Sequence, residues 1–190
     1  DNLSLSVLLG HNIRQRTFET NFGTINSLTI PGFYNLANSA QPPVAANLRT
    51  LRRLYGVYSD VNLAWKNYLF LGLTARNDWS STLPKGGNNF FYPSVNASFV
   101  FTDAFKLPDV ISYGKLKASA AQVGNDANVY LLESVFNTGT VTDGFQNSQI
   151  NFPLNGIAGF SQANAIGNPN LKPEITTSYE FGLEFGLFKN

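Results

Sequence analysis

The sequence has 190 residues, room for one domain or for part of a larger one. Charged residues make up 13% and the formal net charge is +1, about half the charge content of a typical soluble domain and without the clustered basic excess of a nucleic-acid binder. There is no Cys, which excludes a disulfide framework or a thiolate metal site, and the single His, His11, has no converging carboxylates to make a metal site with it.

In chain order, the dominant signal is alternation with period two, the mark of strands with two unlike faces. Leu3, Leu5, Val7 and Leu9 alternate with Asn2, Ser4 and Ser6, predicting a strand over 1–16. A long loop follows at 17–48. Val57, Val61, Leu63 and Trp65 alternate with Gly56, Tyr58, Asp60 and Asn62, predicting a strand over 49–65. Residues 66–68, Lys-Asn-Tyr, form a tight turn in which Asn67 can adopt the left-handed conformation a short hairpin needs. Strands at 69–82 and 91–102 flank a Gly- and Asn-rich loop at 83–90. A compact connection at 103–112 contains Pro108. A strand at 113–124 leads into a second long loop, 125–173, and a last strand covers 174–188. The terminal Lys189-Asn190 pair resembles the start of another tight turn.

Six antiparallel strands result, several longer than the 9–11 residues or so that cross a bilayer at a tilt. Their connections sort by length. The long ones (17–48, 83–90, 125–173) fall at one end and the short ones at the other, as in outer-membrane barrels with long extracellular loops and short periplasmic turns. No run of 18 or more apolar residues occurs, so no ordinary transmembrane helix is present. The start, Asp1-Asn2-Leu3-Ser4, lacks the form of a signal peptide; for an exported protein the chain is then expected to be mature or cut from something longer. Six strands are also too few to close a membrane barrel, and open edges in lipid leave backbone groups unpaired. The expectation is a partial barrel, completed by more chain or by another subunit.

Alternation alone does not say which face meets what. In a soluble carbohydrate-binding β-sandwich, Leu71, Leu73, Phe181 and Phe185 would share a protein core. In a membrane barrel they would face lipid, with polar residues inward. Three features favour the membrane: a polar face rich in Gly, Ser, Asn and Thr; aromatics near strand ends (Trp65, Tyr68, Trp79, Phe90, Phe91, Tyr92, Phe188), as in interfacial girdles; and a mid-strand apolar face almost free of charge.

Candidate inward residues follow from the register. Pairing Trp65 with Leu69 sets Tyr58 opposite Arg76 and Asp60 diagonal to it, predicting a cation–π contact and an ion pair. Asp78 shares that face. Lys115 and Lys117 share theirs with Glu180 and Glu184, and antiparallel pairing brings Lys117 to Glu184. These residues are either a polar wall contacting plug or substrate, or charge-balanced packing. In the 125–173 loop, Tyr130, Phe136, Phe145, Phe152 and Phe160 stand among Gly, Asn and Ser. They suit contact with sugar or peptide, and equally a loop packing on itself or against a lid protein. No nucleophile–base arrangement is present. Glu180 and Glu184 are about 13 Å apart on one strand, too far for the retaining-glycosidase separation of about 5–5.5 Å. The chain is read as no enzyme, with no cofactor.

Specific motifs add to the pattern. Asn67-Tyr-Leu-Phe-Leu-Gly-Leu-Thr-Ala-Arg-Asn-Asp-Trp-Ser-Ser-Thr-Leu-Pro84, then Phe91-Tyr-Pro-Ser-Val95 and Phe101-Thr-Asp-Ala-Phe105, resembles the SusC/RagA family of TonB-linked outer-membrane proteins. Lys115-Leu-Lys-Ala-Ser119 and Gln122-Val-Gly-Asn125 resemble that family's next strand and its exit. Asn168-Pro-Asn-Leu-Lys-Pro-Glu174, leading into Tyr179-Glu-Phe-Gly-Leu183, resembles a motif shared more broadly by TonB-dependent receptors. The resemblance is close over 49–124 and 167–188 and weaker over 1–48 and 126–166. It implies residues 1–190 as part of a 22-stranded transmembrane barrel in the outer membrane. A plug, not present in these residues, would couple it to TonB. A SusD-like surface lipoprotein would cap it, and glycan or peptide oligomers would be its cargo. A passive porin-type barrel is the alternative.

Overall fold

The structure, a computed structural model, describes residues 2–108, 110–142 and 149–188. Six long strands form one antiparallel sheet: β1 (Leu3–Thr24), β2 (Val44–Trp65), β3 (Leu69–Ser80), β4 (Asn89–Val100), β5 (Ile111–Asn125) and β10 (Glu174–Leu187). They lie in the order β1-β2-β3-β4-β5-β10 and curl into a half-barrel. A one-turn helix, α1 (Phe101–Ala104), follows β4. Between β5 and β10, short strands β6 (Phe136–Thr138) and β9 (Phe160–Gln162) pair with each other, as do β7 (Thr140–Thr142) and β8 (Gln149–Asn151).

Direct antiparallel partners point to the same face, so the register fixes both faces. On one face Leu5 opposes Leu63, Leu63 opposes Leu71, and Leu71 opposes Ala97; Ala97 opposes Ala118, which opposes Phe181. No second layer covers this face among the described residues, and Phe181 is 85% exposed. The shared core required by a β-sandwich is therefore absent. The other face carries Asn62, Gly72, Asn96, Ser119 and Glu180.

The apolar face is bounded at both ends by aromatics. At the short-turn end, Trp65 and Tyr68 lie 5.6 Å apart, Tyr68 and Phe99 5.9 Å, Phe99 and Phe105 6.0 Å, and Phe101 and Phe185 5.9 Å. At the other end Tyr55 and Trp79 are 5.3 Å apart. From Trp65 to Tyr55 is ten steps of β2, about 33 Å along the strand and about 25 Å at a 40° tilt, the height of a barrel's lipid-facing band.

The turn at 66–68 uses left-handed Lys66 (φ 50°) and Asn67 (φ 61°), and Tyr68 N–H closes it on the Trp65 carbonyl at 3.3 Å. Several boundaries differ from the sequence reading. β1 and β2 extend to Thr24 and from Val44, so the first long loop is 25–43, not 17–48. Alternation hides this extension because the faces exchange character. Beyond Ile13 and Tyr55 the formerly apolar face carries Gln15, Thr17, Glu19, Asn21, Asn47, Arg49 and Arg53, with Leu51 among them. The formerly polar face carries Arg14, Arg16 and Arg52, and above them Phe18, Phe22, Val44, Ala46 and Leu48. β4 yields to α1 at Phe101, and β3 ends at Ser80 in a side-chain cluster rather than at 82. Lys189 and Asn190 lie outside the described residues.

Candidate functional site

The polar face of the sheet carries three groups of side chains. Nearest the short turns, Lys117 is paired with Glu184 across β5 and β10, one step diagonal from the direct partners Lys115–Glu184 and Lys117–Gly182. Glu180 lies on the same face, opposite Ser119.

Midway up, Tyr58 opposes Arg76 directly, and the guanidinium sits 5.7 Å from its ring centre. The ion pair anticipated for Arg76 goes elsewhere. Asp60 accepts from the Asn62 amide, whereas Arg76 Nε donates to Asp78 Oδ1 at 2.8 Å. Tyr92 Oη donates to Asp78 Oδ2 at 2.6 Å, and Arg76 Nη2 donates to Asn12 Oδ1 at 3.0 Å. The cause is Gly56, which opposes Asp78 on one side and Asn12 on the other. Any Cβ there would occupy the space now filled by the Asp78 carboxylate, the Asn12 amide and the guanidinium. With that space open, Arg76 reaches past β2 to β1, and Asp78 is buried with all its partners made.

Above the aromatic boundary stands the third group. Asp126, just past β5, has a side chain only 2% exposed. Arg52 on β2 donates to it through Nε at 2.9 Å and pairs through Nη2 as well. Ser80 at the end of β3 and Thr82 in the following loop donate their hydroxyls, Thr82 at 3.0 Å. The knot thus joins β2, β3 and the exit of β5, strands that are not all neighbours. Contacts that skip a strand shorten when a sheet bends toward them, so the polar face is the inner face of the curl. Sequence reasoning missed Asp126. A signal for it exists in the register, where Arg16 stands directly opposite Arg52 and Arg14 is one step away. Like charges so placed are destabilising, and call for an acid.

The long loop begins at this knot. Tyr130 Oη accepts the N–H of Leu51 at 3.3 Å. Phe136 and Phe160 are exposed on the β6–β9 pair, whereas Phe152 lies over Gly159, packed within the loop itself. Phe145 falls outside the described residues.

The family described as "TonB dependent receptor-like, beta-barrel" matches residues 1–190, the whole chain. The chain belongs to that family. TonB-dependent receptor P26 of Formosa agariphila is 29% identical over 175 residues, covering 88% of this chain and 16% of that protein. Among solved structures, the RagAB peptide transporter superposes with a TM-score of 0.79 at 18% identity, over 99% of this chain and 20% of that one. The RagAB peptide importer in its open-open state gives 0.76 at 19% identity, over 99% and 20%. At these identities the structures speak for the fold, and they agree with the SusC/RagA resemblance in the motifs. This segment of a TonB-dependent receptor barrel spans about a sixth of its curated relative's length and a fifth of its structural neighbours'.

Proposed function

We propose that the chain forms part of the wall of a TonB-dependent importer in the outer membrane of a Gram-negative bacterium, taking up oligomeric nutrients. Peptides are the favoured cargo, because the RagAB neighbours are a peptide transporter. Glycan oligomers are the other cargo class in reach of such a barrel. On this reading the rest of the barrel pairs with the free edges of β1 and β10. A plug from elsewhere in the protein takes energy through TonB, and a SusD-like lipoprotein caps the extracellular mouth, as the two-part RagAB neighbours suggest.

One observation carries the reading. Within a chain matched over its whole length by the family, a band about 25 Å tall is apolar and ringed by aromatics, while its reverse is polar with its buried acids paired. That is a wall between lipid and an aqueous lumen. On the inner face, Tyr58, Asp60, Arg76, Asp78, Lys115, Lys117, Glu180 and Glu184 act as lumen wall. Tyr130, Phe136, Phe152 and Phe160 belong to the outer mouth. The test is uptake of labelled oligopeptides by cells with and without the intact transporter, each with and without TonB. Import that needs both supports the reading. Uptake that needs the barrel and is indifferent to TonB would mean a passive pore.

A further inference from the structure

The β1–β2 hairpin outreaches its neighbours. β2 pairs with β3 only from Leu54 onward, so residues 44–53 form ten residues whose strand ladder is with β1 alone, about 33 Å of strand. In an antiparallel strand each residue points both of its backbone groups to one side. Lys66 N–H donates to the Asn2 carbonyl, so even residues of β2 point to β1 and odd residues to the β3 side. On that side Arg53 exchanges bonds with Ser81: its N–H donates to Ser81 Oγ at 2.9 Å and its carbonyl accepts from Ser81 N–H at 3.0 Å. The next odd residue, Leu51, donates its N–H to Tyr130 Oη. Above this the side-chain caps stop. Among the described residues, nothing pairs with the backbone of Ala45, Asn47 or Arg49 on that side, and residues 44–49 are exposed. Along this stretch Val44, Ala46 and Leu48 point to the inner face, beside Phe18 and Phe22 of β1.

An exposed strand edge is a template for another strand. We infer that the edge of β2 at Ala45, Asn47 and Arg49 is a binding site for an extended peptide, which adds as a short antiparallel or parallel strand over the outer mouth. This rests on the peptide-importer reading and names how the cargo is first held. Main-chain pairing is indifferent to sequence, as a nutrient importer requires, while the apolar inner row favours peptides with apolar residues at alternate positions. Tyr130 and Ser81 set the lower limit of the site by occupying the N–H of Leu51 and both backbone groups of Arg53.

The test uses the intact transporter in nanodiscs and a fluorescent peptide of alternating Thr and Val flanked by lysines. A second peptide carries N-methyl groups on alternate residues, which removes the donors of one edge. Methylation is expected to weaken binding at least tenfold, through loss of several main-chain bonds. Asn47→Pro removes an edge-facing N–H and is expected to weaken binding roughly fivefold. Equal binding of both peptides, or of Asn47→Pro and the natural protein, overturns the edge site and leaves peptide import standing. Slow amide exchange at Asn47 and Arg49 in the peptide-free transporter also overturns it, since another part of the protein then covers the edge. Absence of both binding and cellular uptake for any oligopeptide overturns the peptide-importer reading itself.

Discussion

Replacing Asp126 by Ala tests whether the buried knot, rather than the sheet, holds the root of the long loop. The carboxylate takes two bonds from Arg52 and one each from Ser80 and Thr82, and its side chain is 2% exposed. Removing one member of a buried pair commonly costs about 3–5 kcal/mol. Here the cost is smaller, for two reasons. Arg52 is 36% exposed and can turn to water, and the Ser80 and Thr82 hydroxyls keep each other at 2.9 Å. An expected cost of about 2 kcal/mol follows, discounted for that solvation. It falls locally, because the ladder of β5 against β4 and β10 ends before residue 126. Hydrogen exchange on the intact protein should therefore speed up about thirtyfold at 126–131, with the β3 and β4 amides unchanged. Arg52→Ala should produce much of the same effect, and the double variant less than the sum of the two. Unchanged exchange at 126–131 in Asp126→Ala would refute the reasoning and show that the loop is held by other contacts.

Three further outcomes are expected. Leu73→Arg, at mid-height of the apolar band, should cost about 2–4 kcal/mol and reduce the folded fraction read from gel mobility before heating; Thr74→Arg, on the inner face, should not. Gly56→Val should displace Asp78 and Arg76 and lower the barrel's unfolding midpoint in urea, whereas Ser59→Val, on the lipid side, should leave it unchanged. Lys117→Ala should leave stability almost unchanged, since both partners are near half exposed, and a double-mutant cycle with Glu184→Ala measures the pair directly.

The parts legible in the sequence were those governed by period two. The Trp65–Leu69 register came from matching apolar faces across a turn that Asn67 announced, and Tyr58 opposite Arg76 followed from it. The Lys117–Glu184 pair was legible separately, because one common face and the antiparallel direction of the two strands are enough to bring them together. What escaped was whatever depends on a missing side chain or on curvature. Gly56 looked like one more small residue, yet its vacancy decides that Arg76 pairs with Asp78 rather than Asp60. Asp126 read as a loop residue, because its partners on β2 and β3 come near it only once the sheet bends. The strands β6 to β9 have three residues each, too few for any period to show.

The exchange of character between the faces of the β1–β2 hairpin is the strongest physical argument for where the membrane stops. The register is unbroken from Leu3–Trp65 to Thr24–Val44, so each face is one continuous surface and only its surroundings can change. Apart from His11 and Ser59 the outer face is apolar as far as Ile13 and Tyr55; beyond, with Leu51 as the exception, it carries Gln15 bonded to Arg53 and Glu19 bonded to Arg49. Lipid gives way to water there, at the height of the Tyr55–Trp79 pair. A sandwich or a soluble hairpin has no reason to reverse at that height, because its apolar face meets one interior throughout. The inner face reverses the other way, from Asn12 and a basic belt of Arg14, Arg16 and Arg52 to Phe18, Phe22 and Leu48. Water alone does not select three large apolar side chains on the inward side of a projecting ribbon. An extended chain laid along the edge at Asn47 would lie beside Leu48 of the strand it joins, with Phe18 and Phe22 one strand further in.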